Sequence, residues 1–165
     1  MGTRFIVSGV CKVVFAPAVA TLAAPSRAEI TAGTVLASPS LSTTVMGLES
    51  ITGLELQEQP VVGADVNSVV DKKYKGRKSL PDAVLTFFDD SDGGGSIRTA
   101  VAPDTSGYLI IMKYGDTATE RCEVWPGRFT TLNDSPISSA NELAKFMATF
   151  VVDNAPSQVA VIPAA

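Results

Sequence analysis

The 165-residue sequence contains no histidine. That absence removes imidazole as a general base, most zinc and non-haem iron sites, and every nucleophile that leans on a neighbouring histidine. Cysteine is scarce: Cys11 and Cys122 are the only two. Two are too few for a disulfide framework, and they read as buried or half-buried thiols of a reducing compartment. Charge is also low, with Asp, Glu, Lys and Arg at 18% of the chain, against roughly 25% in an average soluble domain. The net charge of −4 argues against a broad basic surface that grips nucleic-acid phosphates, although an acidic wall would let DNA slide past. No stretch of about 20 residues is apolar throughout, so no membrane-spanning helix is expected. No fixed-period repeat is present either.

Apolar side chains, in contrast, make up 45% of the residues. One domain of this length buries roughly 70% of its unfolded surface and can build a real core. With no membrane span to absorb the surplus, contacts between subunits are the better account of it.

Hydrophobic periodicity points to strands. Phe5, Val7, Gly9, Cys11, Val13 and Phe15 share one face of an extended segment, and Arg4, Ser8 and Lys12 share the other, as in a half-buried strand with a polar outer side. The same segment carries a second pattern. Arg4, an apolar run and Ala18-Val19-Ala20 have the layout of a signal peptide cleaved near Thr21, although Lys12 interrupts the run and Pro17 follows it. Ala16 to Ser26 is too broken for a helix, and Arg27 to Thr44 reads as loop with short extended pieces.

Met46 to Pro60 contains a strand in which Leu54 and Leu56 alternate with Glu55 and Gln57 and which Pro60 ends. Val61 to Leu80 lacks a period and reads as a long loop. Asp82 to Asp90 is apolar on both alternating faces, as in a strand covered on both sides. After a turn at Asp89 to Gly95, Ser96 caps a short helix that runs to about Ala102 and is stopped by Pro103. Tyr108 to Tyr114, Glu120 to Leu132 (disturbed at Pro126-Gly127) and Asn141 to Asp153 are strands. Asn133 to Pro136 is a turn, and Val159 to Ile162 is a last edge strand. The sum is a mainly β chain, a β-sandwich or partly closed barrel with one short α-helix, forming a single domain over residues 1–165.

Three motifs invite chemistry. Asp89-Asp90-Ser91-Asp92-Gly93-Gly94-Gly95 begins like a calcium loop, but counting from Asp90 the twelfth position is Val101 rather than Glu, and no Lys-Ser/Thr pair follows for a phosphate cradle. It reads as a plain turn. Trp125-Pro126-Gly127-Arg128 holds the only tryptophan, which belongs in a core or interface more readily than on a ligand platform. The run Lys72-Lys73-Tyr74-Lys75-Gly76-Arg77-Lys78 is a solvated loop, a bridge to another subunit, or a site for an anionic lipid or nucleic acid. Glu49, Glu55, Glu58, Glu120 and Glu123 fall in or near strands and suit solvated outer faces or the wall of a lumen. No cofactor and no metal is expected.

Several segments in this order resemble a known family. They are Ala24-Pro25-Ser26-Arg27-Ala28-Glu29-Ile30-Thr31-Ala32-Gly33-Thr34, the strand Asp82 to Asp90 leading into an Asp-rich turn, Ile97 to Val101, Thr105 to Ile110, Ala144 to Val152 and the closing Val161-Ile162-Pro163-Ala164. Spanning Thr3 to Ala164, they resemble the major tail tube proteins of long-tailed phages, of the lambda type found in viruses of actinobacteria. The resemblance implies a tail tube fold without an active site, and hexameric rings stacked into a hollow tube around a tape-measure protein. It also implies a lumen that passes the phage DNA into the host without binding it specifically, tail terminator and baseplate partners, no membrane, and a place in the virion tail after assembly in the host cytoplasm. Residues 61–80 would then be a long inter-ring loop, with Lys72, Lys73, Tyr74, Lys75, Arg77 and Lys78 meeting the next ring. Two rivals come from the residues alone: a secreted β-sandwich binding module exported by the N-terminal segment, and a small enzyme working with carboxylates.

Overall fold

A computed structural model describes residues 11–39, 47–63, 72–89, 95–134 and 143–164. In chain order the elements are β1 (Lys12–Ala16), α1 (Arg27–Ala32), β2 (Thr34–Ala37), β3 (Leu48–Thr52), β4 (Gln57–Gly63), β5 (Lys72–Ser79), β6 (Ala83–Phe88), α2 (Gly95–Ala100), β7 (Ser106–Met112), β8 (Arg121–Asp134), β9 (Lys145–Val152) and β10 (Ser157–Val161). Eight strands form one antiparallel sheet in the spatial order β2-β1-β7-β8-β9-β6-β3, with β10 added to β8, while β4 and β5 pair with each other.

The sheet is folded into two layers by β8. Its first half pairs with β7, Ile111 opposite Glu123 and Ser106 opposite Arg128, and also carries β10. Its second half pairs with β9, from Gly127 opposite Val152 to Asp134 opposite Phe146, with a register shift between Phe129 and Thr131. Strands that pass from one layer to another do so at bends and bulges of this kind. The changeover lies at Pro126-Gly127, and the glycine is sterically required. A Cβ there would sit 2.2 Å from the carbonyl oxygen of Val151 and 2.8 Å from Cζ of Phe150.

Side chains from opposite ends of the strand order therefore meet in one core. Val13, Leu36 and Leu109 pack in it with Leu85, Phe87, Phe146 and Phe150, and with Ile97 of α2. Phe87 stacks on Phe146 with ring centroids 5.0 Å apart, and Phe129 meets Phe15 at 5.0 Å and Phe150 at 5.1 Å. Each such contact is worth about 0.5–1.5 kcal/mol beyond area burial. A second cluster covers the outer face of β1, β7 and β8, where Val14, Ile110, Met112 and Val124 lie beneath Ile30 of α1, Val19, and Ala160 and Ile162 at β10.

Most strands match the sequence expectation, with five differences. Of the first strand expected from Arg4 to Phe15, residues 4–10 lie outside the described residues; beyond the half-exposed Lys12 the outer side becomes a second buried face, because α1 and β10 cover Val14 and Ala16. There are two helices rather than one. The extra one, α1, lies where loop was expected and is set by a capping box: Glu29 N–H donates to Ser26 Oγ and Ser26 N–H to the Glu29 carboxylate. The strand expected over 46–60 is broken into β3 and β4 at Gly53, where φ is +88°, and Pro60 lies inside β4 at a register shift instead of ending it. Residues 133–134, expected as turn, prolong β8. Finally, β6 buries Ala83, Leu85 and Phe87 but leaves Val84, Thr86 and Phe88 half-exposed, so one of its faces is covered and the other partly so. The sheet stays open, without closing into a barrel.

The corner gives a direct test. Gly127→Ala should lower the unfolding free energy by about 2 kcal/mol, the usual size of an overpacking strain, read as a reduced urea midpoint with an unchanged slope. A wild-type midpoint would remove the steric requirement at Gly127.

Candidate assembly surfaces: an unpacked ribbon and two free sheet edges

β3 hands the chain to the β4–β5 ribbon through Gly53, whose positive φ and close approach to the Asp82 carbonyl oxygen, 2.5 Å from a built Cβ, admit no side chain. The ribbon places Glu58 opposite Lys78, Gln59 opposite Arg77 and Val61 opposite Tyr74. Val61 is 60% exposed, and Lys75, Arg77 and Lys78 are exposed as well. A two-stranded ribbon on its own is marginally stable in water, so its outward apolar and basic side chains have little to hold them within one copy.

All six residues proposed from the sequence, Lys72, Lys73, Tyr74, Lys75, Arg77 and Lys78, fall on β5. The side chains of the first three lie outside the described set. The expected loop is thus largely a strand pair. The sequence shows no alternation there, and none of the ribbon's described side chains is buried to impose a period. Among the described residues no ion pair engages Lys75, Arg77 or Lys78, whereas the rest of the chain uses Lys12, Arg27, Arg98, Lys113 and Lys145 in pairs.

Those pairs fasten pieces of the fold. Arg98 of α2 binds Asp134 at the end of β8 and Asp89 after β6, at 3.1 Å from the latter, and lies 4.7 Å from the centre of the Phe146 ring. Asp116 takes Lys12 of β1 at 2.6 Å together with Arg27 of α1. Partial burial pushes the Asp116 carboxyl up, but the hydrogen bonds and charges of Lys12 and Arg27 outweigh it and hold it below the ordinary value. The Glu29 carboxyl is held low by the backbone N–H groups of Ser26 and Ala20, the latter at 2.7 Å. Sequence reasoning missed these clamps. Only Ser26-x-x-Glu29 left a local signal, since Arg98 and Asp116 find their partners far along the chain.

The other candidates resolve simply. Trp125 is fully buried and donates from Nε1 to Glu123 at 3.2 Å, while Glu123 also pairs with Lys113. Glu49 pairs with Lys145 at 2.7 Å, and Glu55, Glu58 and Glu120 are exposed. Of the acidic turn, residues 90–94 lie outside the described residues. Both thiols are free, and burial pushes Cys122 up to about 11. Among the described residues no three His, Cys, Asp or Glu come together as a metal site, and no helix is long and apolar enough to cross a membrane. Residues 12–16, inside the would-be leader, form a strand between β2 and β7. Cleavage near Thr21 would remove it from the middle of the sheet.

The sheet ends on two strands paired on one side only, β2 and β3. Both are short, at four and five residues, and β3 carries the charged Glu49. Among the described residues the sheet is thus open at two short end strands and stands beside a separate two-stranded ribbon. The chain belongs to the phage tail tube protein family, whose model matches residues 1–165. No curated protein sequence matches it.

Solved structures give the same answer for the fold. The sheath/tube terminator of an extracellular contractile injection system (PVC, extended state) superposes with a TM-score of 0.62 at 12% identity, covering 93% of this chain and 96% of that one. The tube-terminating cap of the anti-feeding prophage gives 0.58 at 13% identity, over 96% and 95%. The PVC sheath–tube complex gives 0.58 at 12%, over 92% and 90%. At such identities the likeness is one of fold. The role rests on the family: as a phage tail tube protein it is a structural component of a phage tail, and not an enzyme.

The clamps on α1 predict an acid response. The folded-state values of Glu29 and Asp116 lie below their unfolded values, so the stability they contribute is present at neutral pH and lost as pH falls through the lowered folded values. Glu29→Gln should flatten the decline of the urea midpoint below about pH 4.5. An unchanged acid limb would assign that sensitivity to other carboxylates.

Proposed function

We propose that this protein is the major tail tube subunit of a phage, polymerising as hexameric rings that stack into a hollow conduit. The β4–β5 ribbon bridges one ring to the next, and the free sheet edges meet neighbours around the lumen. The tube forms around a tape-measure protein in the host cytoplasm and ends on terminator and baseplate proteins. Once emptied, it passes the phage DNA without specific contacts. The observation that carries this proposal is the ribbon, a strand pair separate from the main sheet and with basic side chains in no ion pair among the described residues. The two open edges and the family membership support it.

Opposite charges separate the ribbon from the rest of the chain. Residues 57–79 hold five Lys and Arg against three Asp and Glu, and the remaining sequence holds eight against fourteen. Ribbon and body of separate copies therefore attract, over a range of about 8 Å at physiological salt.

Electron microscopy of purified protein across a concentration series should show rings or tubes. Only monomers, at every concentration and salt, would overturn the assignment. The triple variant Lys75→Glu, Arg77→Glu, Lys78→Glu should abolish tube growth and leave the thermal midpoint of the monomer within about 1–2 °C, since these side chains are exposed and make no ion pair among the described residues. Equal loss of monomer stability would make the ribbon a folding element instead.

A further inference from the structure

The second apolar cluster has two covers, and they are fastened unequally. One is the segment from Val19 to Ile30. It is held by its capping box, by the bond from Ala20 N–H to the Glu29 carboxylate and by the pair of Arg27 with Asp116. The other is β10 with the adjoining Ile162. It buries Ala160 and Ile162, leaves Val159 67% and Val161 42% exposed, and pairs with β8 through a register shift between Ser157 and Ala160. Among the described residues no ion pair and no side-chain hydrogen bond engages it. Its remaining ties are backbone bonds. Val161 N–H donates to the Ala23 carbonyl oxygen at 3.2 Å, Ile162 N–H to that of Glu120 at 3.0 Å, and Thr119 N–H to that of Ile162 at 2.8 Å.

The last two bonds close on a strained turn between β7 and β8. Thr119 has a φ of +68°, a left-handed conformation that is an outlier for a β-branched residue. Such a conformation persists only where its surroundings over-determine it. Here Ile162 grips Thr119 and Glu120 from outside, while Asp116 in the same turn is anchored to Lys12 and Arg27. The turn cannot shift to relieve Thr119 while Ile162 stays in place. Departure of Ile162 frees it, so the strain favours release.

We propose that β10 and Ile162 form a latch over the second cluster, which opens and closes on β8 while the rest of the body stays folded, and that Thr119 sets how readily it opens. Segments with few buried side chains and weakly protected backbone bonds are the ones that open first. Opening uncovers the side of β8 that β10 pairs, from Arg121 to Val124, together with the apolar face formed there by Cys122, Val124 and Met112. The latch therefore keeps a further sheet edge in reserve, of the kind that accepts an added strand.

Cys122 is 2% exposed and lies opposite Ala160, which makes its thiol a native reporter of opening. The full chain, kept dilute enough to stay monomeric, is treated with N-ethylmaleimide across urea concentrations below the global transition. Peptide mass mapping separates Cys122 from Cys11, and the rate is read where it is first order in reagent. Cys122 should label well before global unfolding and with little dependence on urea, because the latch exposes little surface. Thr119→Asn, a residue that tolerates the left-handed region, should slow labelling at least about threefold. Ile162→Ala should speed it at least about tenfold. Phe87→Leu, in the other cluster, should lower the urea midpoint and leave the labelling rate unchanged. Labelling that appears only with global unfolding, or that rises with Phe87→Leu, overturns the latch. A wild-type rate in Thr119→Asn overturns the strained turn as its control. Labelling that ignores Ile162→Ala and falls with the bulk of the maleimide marks entry between Tyr114, Arg121 and Gln158 with β10 in place, and overturns the proposal as well.

Discussion

The bend of β8 at Pro126-Gly127 is the constraint on which the rest of the structure depends. One strand of fourteen residues belongs to two layers, and the glycine at residue 127 permits it, since a Cβ there would sit 2.2 Å from the carbonyl oxygen of Val151. From that bend follows the shared core of Phe15, Phe87, Phe129, Phe146 and Phe150, since without it strands at opposite ends of the order would not face each other. From it also follows the incomplete closure. A sheet folded over by one shared strand leaves its first and last strands, β2 and β3, each paired on one side only among the described residues.

Charge is distributed according to the same division. In the two-layered body the ion pairs sit where a short element must be held against the sheet: Arg98 fixes α2 to the ends of β6 and β8, and Asp116 ties α1 to β1. Their side chains are mostly a fifth to a third exposed, a setting in which each pair contributes about 0–1 kcal/mol. Their service is therefore more to position than to stabilise. Burial of Ile30 and Ile97, at about 1.5–3 kcal/mol for a fully buried side chain, does the holding. Lys75, Arg77 and Lys78, by contrast, sit exposed on a ribbon whose described side chains are none of them buried.

How much of this was legible in the sequence depended on whether a residue's environment was local or distant. Strands with one buried face announced themselves: Phe146, Ala148 and Phe150 in β9, and Leu85 and Phe87 in β6, alternate because their partners lie on one side. Trp125 was rightly given to the core. β1 misled, since Lys12 at its edge suggested a wet outer face, whereas Val14 is covered by elements arriving from residues 19–30 and 160–162. Helix α1 is six residues long, too short for any period to show, and only its capping box spoke for it. The ribbon was invisible as a strand pair because nothing packs on it. Its basic composition could be read, and its architecture could not. The two free edges, being a property of strand order, left no trace in any single segment.

The ribbon also bears on why such a subunit can exist singly and still commit to a polymer. Fixing a residue's backbone costs roughly 1–2 kcal/mol of conformational entropy, and strands in the body recover that cost through burial. β4 and β5 gain their mutual hydrogen bonds, each worth about 0.5–1.5 kcal/mol net, and bury none of their described side chains. A strand pair so poorly compensated gives up little by exchanging water for a second protein surface and gains the burial it lacks. The free energy of ordering the ribbon is thereby drawn from the contact it makes, which couples its stability to assembly. The same poverty guards against premature growth. In the proposed tube, a positively charged ribbon would meet an acidic body through forces that salt screens, and association would stay reversible until many such contacts act together.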